Sequence, residues 1–212
     1  MIVPNIYRIM HYENLHQLIK NKGQYSRNNM REENIRYRDI SNNNIQSTRE
    51  DIIVPQPPYQ TLHDYVPFYF TNRSPMLYAC ATGFASSYDE GQEPIIYLVS
   101  NTDLIIKNDV DFVFTDGQAN SNGTYFYKDI ADLDNIDWDL IESWSWRNTD
   151  EDNDRKRRKQ AEFLVHEFFS NELIVEIVVN NNNIAEIIED ILRDANIQIP
   201  VYVRENWYYQ LV

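Results

Sequence analysis

The chain has 212 residues, 33 acidic against 19 basic side chains for a formal net charge of -14, and a composition that is 42% hydrophobic and 13% aromatic. That length suits one domain with elaborate loops and excludes two comfortable ones, and that apolar content excludes a chain disordered throughout. No run approaches the roughly 20 apolar residues of a membrane span, the N-terminus MIVPNIYRIMHYEN lacks the basic-then-apolar layout of a signal peptide, and the lone Cys80 excludes a disulfide framework, so a cytoplasmic location is expected.

Residues 5–10 (NIYRIM) read as a strand. The segment 14–22 (NLHQLIKNK) then sets Leu15, Leu18 and Ile19 at helical spacing, with Gly23 at the C-cap. Residues 24–64 are polar and rich in Asn and Arg, which predicts a long, weakly structured segment of the kind that is functional or disordered inside a compact domain. Val66–Phe70 reads as a buried strand, and Ser74-Pro75 as an N-cap with proline at the first position of a helix to Thr82. Strands are expected at 94–100 (PIIYLVS) and 111–115 (DFVFT), the latter closed by the turn Asp116-Gly117. Residues 128–154 are acidic and Trp-bearing, with no clear period. Strands at 162–165 and 173–179, a helix at 184–195 and a strand at 200–204 complete the chain. Strands and helices mix without regular alternation, so the fold class is α+β.

The acidic balance argues against nucleic acid as a partner, because phosphate binding is driven by Lys and Arg displacing counterions. Its distribution weakens that argument. Residues 1–80 carry nine basic and seven acidic side chains, residues 81–154 carry three and seventeen, and residues 155–159 read RKRRK.

Three places concentrate chemistry. His11, with Glu13 and Asn14, follows the first strand, where a neutral imidazole can hydrogen-bond a ribose hydroxyl or carboxamide, or can simply be satisfied by local backbone at a helix start. Arg73 precedes the N-cap at Ser74, where a guanidinium can join a helix N-terminus in holding an anion, or can stand in solvent. Glu162 heads a strand directly after the basic run. A carboxylate there either pairs with its Lys/Arg neighbours or stabilises the positive charge that builds on a sugar as its glycosidic bond breaks. No Walker loop, Gly-x-Gly-x-x-Gly or Gly-x-Ser-x-Gly is present; His166-Glu167 lacks zincin spacing, and the Asp-rich stretch 129–154 lacks the Gly turn and terminal Glu of a calcium loop, so a metal-dependent nuclease finds no ligand spacing.

Taken together, YRIMHYENL (7–15), IQSTRE (45–50), DYVPFYFTNRSPMLY (64–78), FVFTDG (112–117) and WRNTDEDNDRKRRKQAEFLVHEFF (146–169) resemble, in order and over nearly the whole chain, the DarT family of DNA ADP-ribosyltransferase toxins. The resemblance implies a single ADP-ribosyltransferase domain over 1–212, with a split, mostly antiparallel sheet and flanking helices. It implies NAD as co-substrate, with no metal. Glu162 and Arg49 would be catalytic, and His11, Tyr12, Glu13, Asn14, Gly23, Asn28 and Arg49 would contact NAD, with 24–60 folding over the dinucleotide. Arg49 thereby displaces Arg73 as the expected essential arginine; its pKa makes it a poor general base, so it would act by stabilising the acceptor base as that base loses its proton. Residues 118–161 would form the substrate-recognition loop, with Arg73, Trp144, Trp146, Arg147, Arg155 and Arg157 as candidate DNA contacts through base stacking or phosphate. The wording of the last block is nearer the thymine-modifying branch, which makes thymine N3 in single-stranded DNA the expected acceptor. Guanine or RNA ends within the same fold, and a non-catalytic DNA- or NAD-binding module, are the alternatives. The resemblance also implies the toxin role of a toxin-antitoxin pair and a macrodomain-type antitoxin as partner.

Overall fold

The computed structural model describes residues 3–85 and 88–211. In chain order it runs β1 (Asn5–His11), α1 (Leu15–Lys20), β2 (Gly23–Tyr25), α2 (Arg27–Glu32), α3 (Asn43–Glu50), β3 (Tyr65–Tyr69), α4 (Pro75–Thr82), β4 (Ile95–Asn101) and α5 (Thr102–Lys107). It continues with β5 (Phe112–Thr115), β6 (Phe126–Tyr127), α6 (Trp138–Glu142), α7 (Arg155–Arg158), β7 (Glu162–His166), β8 (Phe168–Ser170), β9 (Glu176–Val179), α8 (Asn182–Asp194) and β10 (Val201–Val203).

An eight-stranded sheet has the order β10-β9-β4-β1-β3-β7-β5-β6, and β2 and β8 pair separately. Every pairing is antiparallel except β9–β10, whose parallel register needs the crossover that α8 supplies. The sheet is split in the middle. β1 matches β4 along its full length, from Asn5 opposite Asn101 to His11 opposite Ile95, whereas β1 and β3 share only the pair Tyr7 and Tyr69. The α+β class and the split, mostly antiparallel sheet agree with expectation.

The apolar run of β4 lacks alternation because both of its faces are covered. Ile96 and Leu98 pack in the same core as Ile184, Ile188, Ile191 and Leu192, the apolar stripe of α8. On the opposite face Ile95, Tyr97 and Val99 meet Leu77 and Cys80 of α4 and Tyr208 near the C-terminus. α4 starts and stops as its sequence dictates: the Ser74 hydroxyl accepts from Leu77 N, Pro75 leads the helix, and Gly83 closes it in the left-handed conformation at φ 76°.

The 24–64 segment departs from the expected weak structure, since it contains β2, α2 and α3. Those helices have no apolar period to betray them. Side-chain caps start them, Ser26 Oγ accepting from Asn29 N and Asn42 Oδ1 from Asn44 N, and each buries one long side chain, Met30 and Arg49 respectively. Gly23 is likewise not the stop of α1. That helix ends at Lys20, Lys22 takes the left-handed φ of 59°, and Gly23 opens β2. Within 128–154, a 3-10 turn (Ile130–Asn135) and α6 form, and the basic run becomes α7.

Glycine is required at position 23 by a close approach: a Cβ there would lie 2.3 Å from the Phe169 carbonyl oxygen and 2.5 Å from the Phe168 ring. Because backbone cannot yield as a side-chain tip can, Gly23→Ala is expected to cost roughly 1–3 kcal/mol of overpacking, seen as a fall of roughly 3–10 °C in the calorimetric unfolding midpoint.

Candidate active site

Where the two half-sheets part, a cavity of about 650 Å³ opens, lined among others by Arg8 of β1, Tyr69 of β3, Arg49 of α3 and Glu162 of β7. The volume falls within the range of small-molecule sites. Glu162 is the first residue of β7, opposite Tyr69 in register, and is 3% exposed. Its backbone is fixed by Thr115, whose hydroxyl accepts from Glu162 N at 3.1 Å and donates to the Gly117 carbonyl at 2.6 Å. Its carboxylate accepts from Ala119 N at 2.9 Å and from Arg49 Nη1, which lies 3.1 Å from one oxygen and 3.0 Å from the other.

Arg49 reaches this carboxylate from the last turn of α3 and is itself buried. Burial works to lower its pKa, but the charge of Glu162 and the hydrogen bond to it prevail, so its pKa is raised. Arg49 Nη2 is buried and makes no hydrogen bond within the chain. Further cavity groups share that condition, among them Arg8 Nε, Arg27 Nε, His63 Nδ1 and the Tyr65 hydroxyl. Arg8 bridges the split by donating from Nη1 to the Pro67 carbonyl at 3.0 Å, and burial pulls its pKa down to about 10, leaving it protonated at neutral pH. Burial, reinforced by Arg27 and Arg49, pushes His63 down to about 4, so the ring is neutral, with Nε2 3.0 Å from Gln46 Oε1. Burial, with the charge of Glu162 behind it, raises the Tyr69 phenol and keeps it protonated. The cavity therefore offers buried donors beside a neutral imidazole, with the carboxylates of Glu162 and Asp39 held by Arg49 and Arg27. Buried polar groups normally have partners, so these orphaned atoms point to a polar, anion-bearing ligand.

Among residues expected to contact a cofactor, Asn14, Gly23 and Arg49 line the cavity, whereas His11, Tyr12, Glu13 and Asn28 do not. His11 is 1% exposed, and its Nδ1 accepts from Glu13 N at 3.3 Å, so the local-backbone reading describes its contact. Burial lowers its pKa against the opposing pull of Glu13 and Glu90. Asn28 ties α2 to Asp64 at 2.7 Å. Asn14 instead clamps the 24–60 segment, donating to the Arg38 carbonyl at 2.9 Å and accepting from Arg38 N at 2.7 Å. Arg8, His63 and Tyr69 escaped sequence reading because β-strand and turn positions in an apolar stretch carry no local mark of facing a cavity. Asn120 escaped it too; it lines the cavity, and its buried Oδ1 has no partner within the chain.

The basic run is not an open phosphate-binding surface. Arg157 is held by Asp154, Asp116 and Thr124, and Arg158 by Asp137 and Asp152. Arg155 donates to the Ser145 carbonyl at 2.8 Å, and Arg147 is exposed. Lys159 is 1% exposed, and its ammonium donates to the carbonyls of Leu140, Ile141 and Ser143, closing the C-terminal end of α6. Burial, aided by the charge of Arg73, brings its pKa down to about 8. Trp144 is exposed under the Arg73 guanidinium, 3.3 Å from the ring centroid, and Trp146 lines the cavity. Among the described residues no cluster of three or more His, Cys, Asp or Glu is placed to hold a metal ion, and no helix is long and apolar enough to cross a membrane.

Comparison with known proteins gives consistent matches. The family model described as ssDNA thymidine ADP-ribosyltransferase, DarT, matches residues 7–209. A DNA ADP-ribosyl transferase of Thermus sp. strain 2.9 is 39% identical over 210 residues, covering 96% of this chain and 95% of that protein. The structure of Thermus sp. 2.9 DarT in complex with ADP-ribosylated ssDNA superposes with a TM-score of 0.91 at 36% identity, over 97% of this chain and 96% of that one, and its complex with NAD+ with a TM-score of 0.87 at 36% identity, over 97% and 98%. A DNA ADP-ribosyl transferase-DNA ADP-ribosyl glycohydrolase fusion protein of Thermosipho africanus is 26% identical over 92% of this chain and 47% of that protein.

Lys159→Met keeps the buried stem but leaves the Ile141 and Ser143 carbonyls without a donor, the Leu140 carbonyl keeping Ser143 N. Its expected cost is about 1–3 kcal/mol, and amide hydrogen exchange should quicken over 138–147 while β4 keeps its protection.

Proposed function

The chain belongs to the DarT family of single-stranded DNA thymidine ADP-ribosyltransferases, and we propose that the Glu162–Arg49 cavity moves ADP-ribose from NAD to thymine N3 in single-stranded DNA, releasing nicotinamide. The observation that carries this is the buried Arg49–Glu162 pair at 3.0 Å on the wall of a cavity whose other polar groups await a ligand. NAD fits that donor set: its diphosphate suits the unpartnered guanidinium Nε of Arg8, and its size suits the volume. When bound, it supplies an activated ribosyl carbon and a leaving group.

The chain's own residues do the rest. The Glu162 carboxylate is held in place by Ala119 N and Arg49, so it stabilises positive charge at the ribose without reorganising. Arg49 Nη2 remains available to steady negative charge on the acceptor base as its N3 proton passes to solvent water, a role suited to a guanidinium that stays protonated. Asn14 and Arg38 hold the 24–60 segment as a wall over the dinucleotide. His11, Tyr12 and Glu13 act from the turn beneath Asn14, with Gly23 and Asn28 setting the same wall. Arg73, Trp144, Trp146, Arg147 and the 118–161 segment face the DNA; Arg155 and Arg157 serve there as internal struts.

The Thermosipho fusion joins a transferase to a glycohydrolase in one chain. That pairing supports the reading of this protein as the cytoplasmic toxin of a toxin-antitoxin pair, with a separate macrodomain-type glycohydrolase as its antitoxin.

Incubation with NAD and a thymine-containing oligonucleotide should add one ADP-ribose mass, mapping to thymine; with folded protein, no adduct on any mixed-sequence single strand would refute the reading, and an adduct on guanine would move the acceptor. Glu162→Ala should lower kcat by about a thousandfold or more while NAD binding persists in calorimetry. Addition of EDTA should leave turnover unchanged, whereas magnesium-dependent strand cleavage without NAD would mark a nuclease.

A further inference from the structure

The DNA problem posed by this chain is electrostatic. Its net charge is -14, and of the five consecutive basic residues at 155–159, Arg157 and Arg158 are enclosed by aspartates, Lys159 is buried and Arg155 is turned onto a carbonyl. Binding that relied on phosphate neutralisation would have little to work with.

The cavity mouth supplies another means. Tyr78, Phe84 and Trp146 line the same cavity as Glu162 and Arg49, and Tyr78 and Phe84 are 36% and 74% exposed. Tyr78 stands edge-on to Trp146 at 5.8 Å and to Tyr209 at 5.1 Å. Tyr209 in turn bonds the carbonyls of Arg73 and Ser74, and Arg73 lies flat over Trp144, itself 75% exposed. Phe84 is not a loose loop residue. The C-cap of α4 fixes it, Gly83 taking a left-handed φ of 76° and Phe84 N donating to the Ala79 carbonyl at 2.9 Å. Scattered exposed apolar side chains are ordinary, but aromatic rings gathered at the mouth of one cavity and held by packed backbone are a surface with an occupant.

We propose that Phe84, Tyr78, Trp146 and the Arg73-capped Trp144 form a stacking platform for the nucleotides flanking the modified base, so that single-stranded DNA is held mainly by base–aromatic contact rather than by phosphate charge. A base can reach Glu162 only when out of a helical stack, and its neighbours then present bare faces that such rings cover. The occupant is single-stranded DNA because Phe84, Tyr78 and Trp146 line the cavity itself, with Trp144 joined to them through Arg73 and Tyr209; duplex, with its bases paired and stacked, cannot use it. This inference rests on the proposed function.

The test is the salt dependence of oligothymidylate binding, measured by fluorescence anisotropy, together with the KM for oligonucleotide. The exposed cations Arg147 and Lys156, with half-buried Arg73, allow a slope of log K against log salt no steeper than about -2, whereas full use of the basic run with Arg73 and Arg147 would give about -5. A slope steeper than about -3 overturns the proposal. Phe84→Ala and Trp144→Ala should each raise the KM for oligonucleotide by roughly 5- to 100-fold with an unchanged unfolding midpoint, Phe84→Trp should restore it, and Phe84→Leu, apolar but without a π-face, should not. If wild-type protein forms no adduct at all, the proposed function fails and this inference with it. Adduct formation in wild type with an unaltered KM in both alanine variants overturns the platform alone.

Discussion

The contact on which the site depends is the buried ion pair between Glu162 and Arg49, joined by the backbone N–H of Ala119. Two charges taken out of water are costly unless matched closely, and here one guanidinium nitrogen serves both carboxylate oxygens. The pair brings together residues 113 apart in sequence, which ties the polar 24–60 segment to the middle of the sheet. Because Ala119 N donates to the same carboxylate, the start of the 118–161 segment is fastened to it as well. Three parts of the chain thus converge on one oxygen atom.

The split between β1 and β3 makes room for that convergence. A continuous ladder would fill the space with paired backbone, whereas a single register pair at Tyr7 and Tyr69 lets the half-sheets diverge, and Arg8 and Glu162 project into the gap. The main core runs beneath both half-sheets and holds them together. It packs α8 against β4 and extends into β3 and β7, and a smaller one covers the far face of β4 with α4.

Electrostatics within the 118–161 segment follows a different logic from that suggested by its composition. Acidic and basic blocks adjacent in sequence fold onto one another, with Asp116, Asp137, Asp152 and Asp154 enclosing Arg157 and Arg158, while Lys159 stoppers α6. The aspartates neutralise the basic run from within, and the surface beside the cavity is left to aromatic rings. Half-buried pairs of this kind position a segment more than they stabilise it.

Local chemistry alone set down much of the frame. The apolar run of β4 and the Ser74-Pro75 start of α4 are each legible because their cause lies within a few residues: burial and cap. The ordered motifs likewise carried the family through residue identities alone. What sequence could not decide was everything set by contacts between distant segments. α2 and α3 bury one side chain each, so no periodicity marks them, and Arg49 is polar in sequence yet buried in space. Glu162 admitted a local and a chemical reading; tertiary packing faced it toward Arg49 rather than its basic neighbours. The basic run read as surface until its partners, 3 to 41 residues away, were in place. Short-range forces choose elements, but whether a charge is a strut, a cap or an exposed contact depends on which distant group meets it and on how much water the meeting excludes.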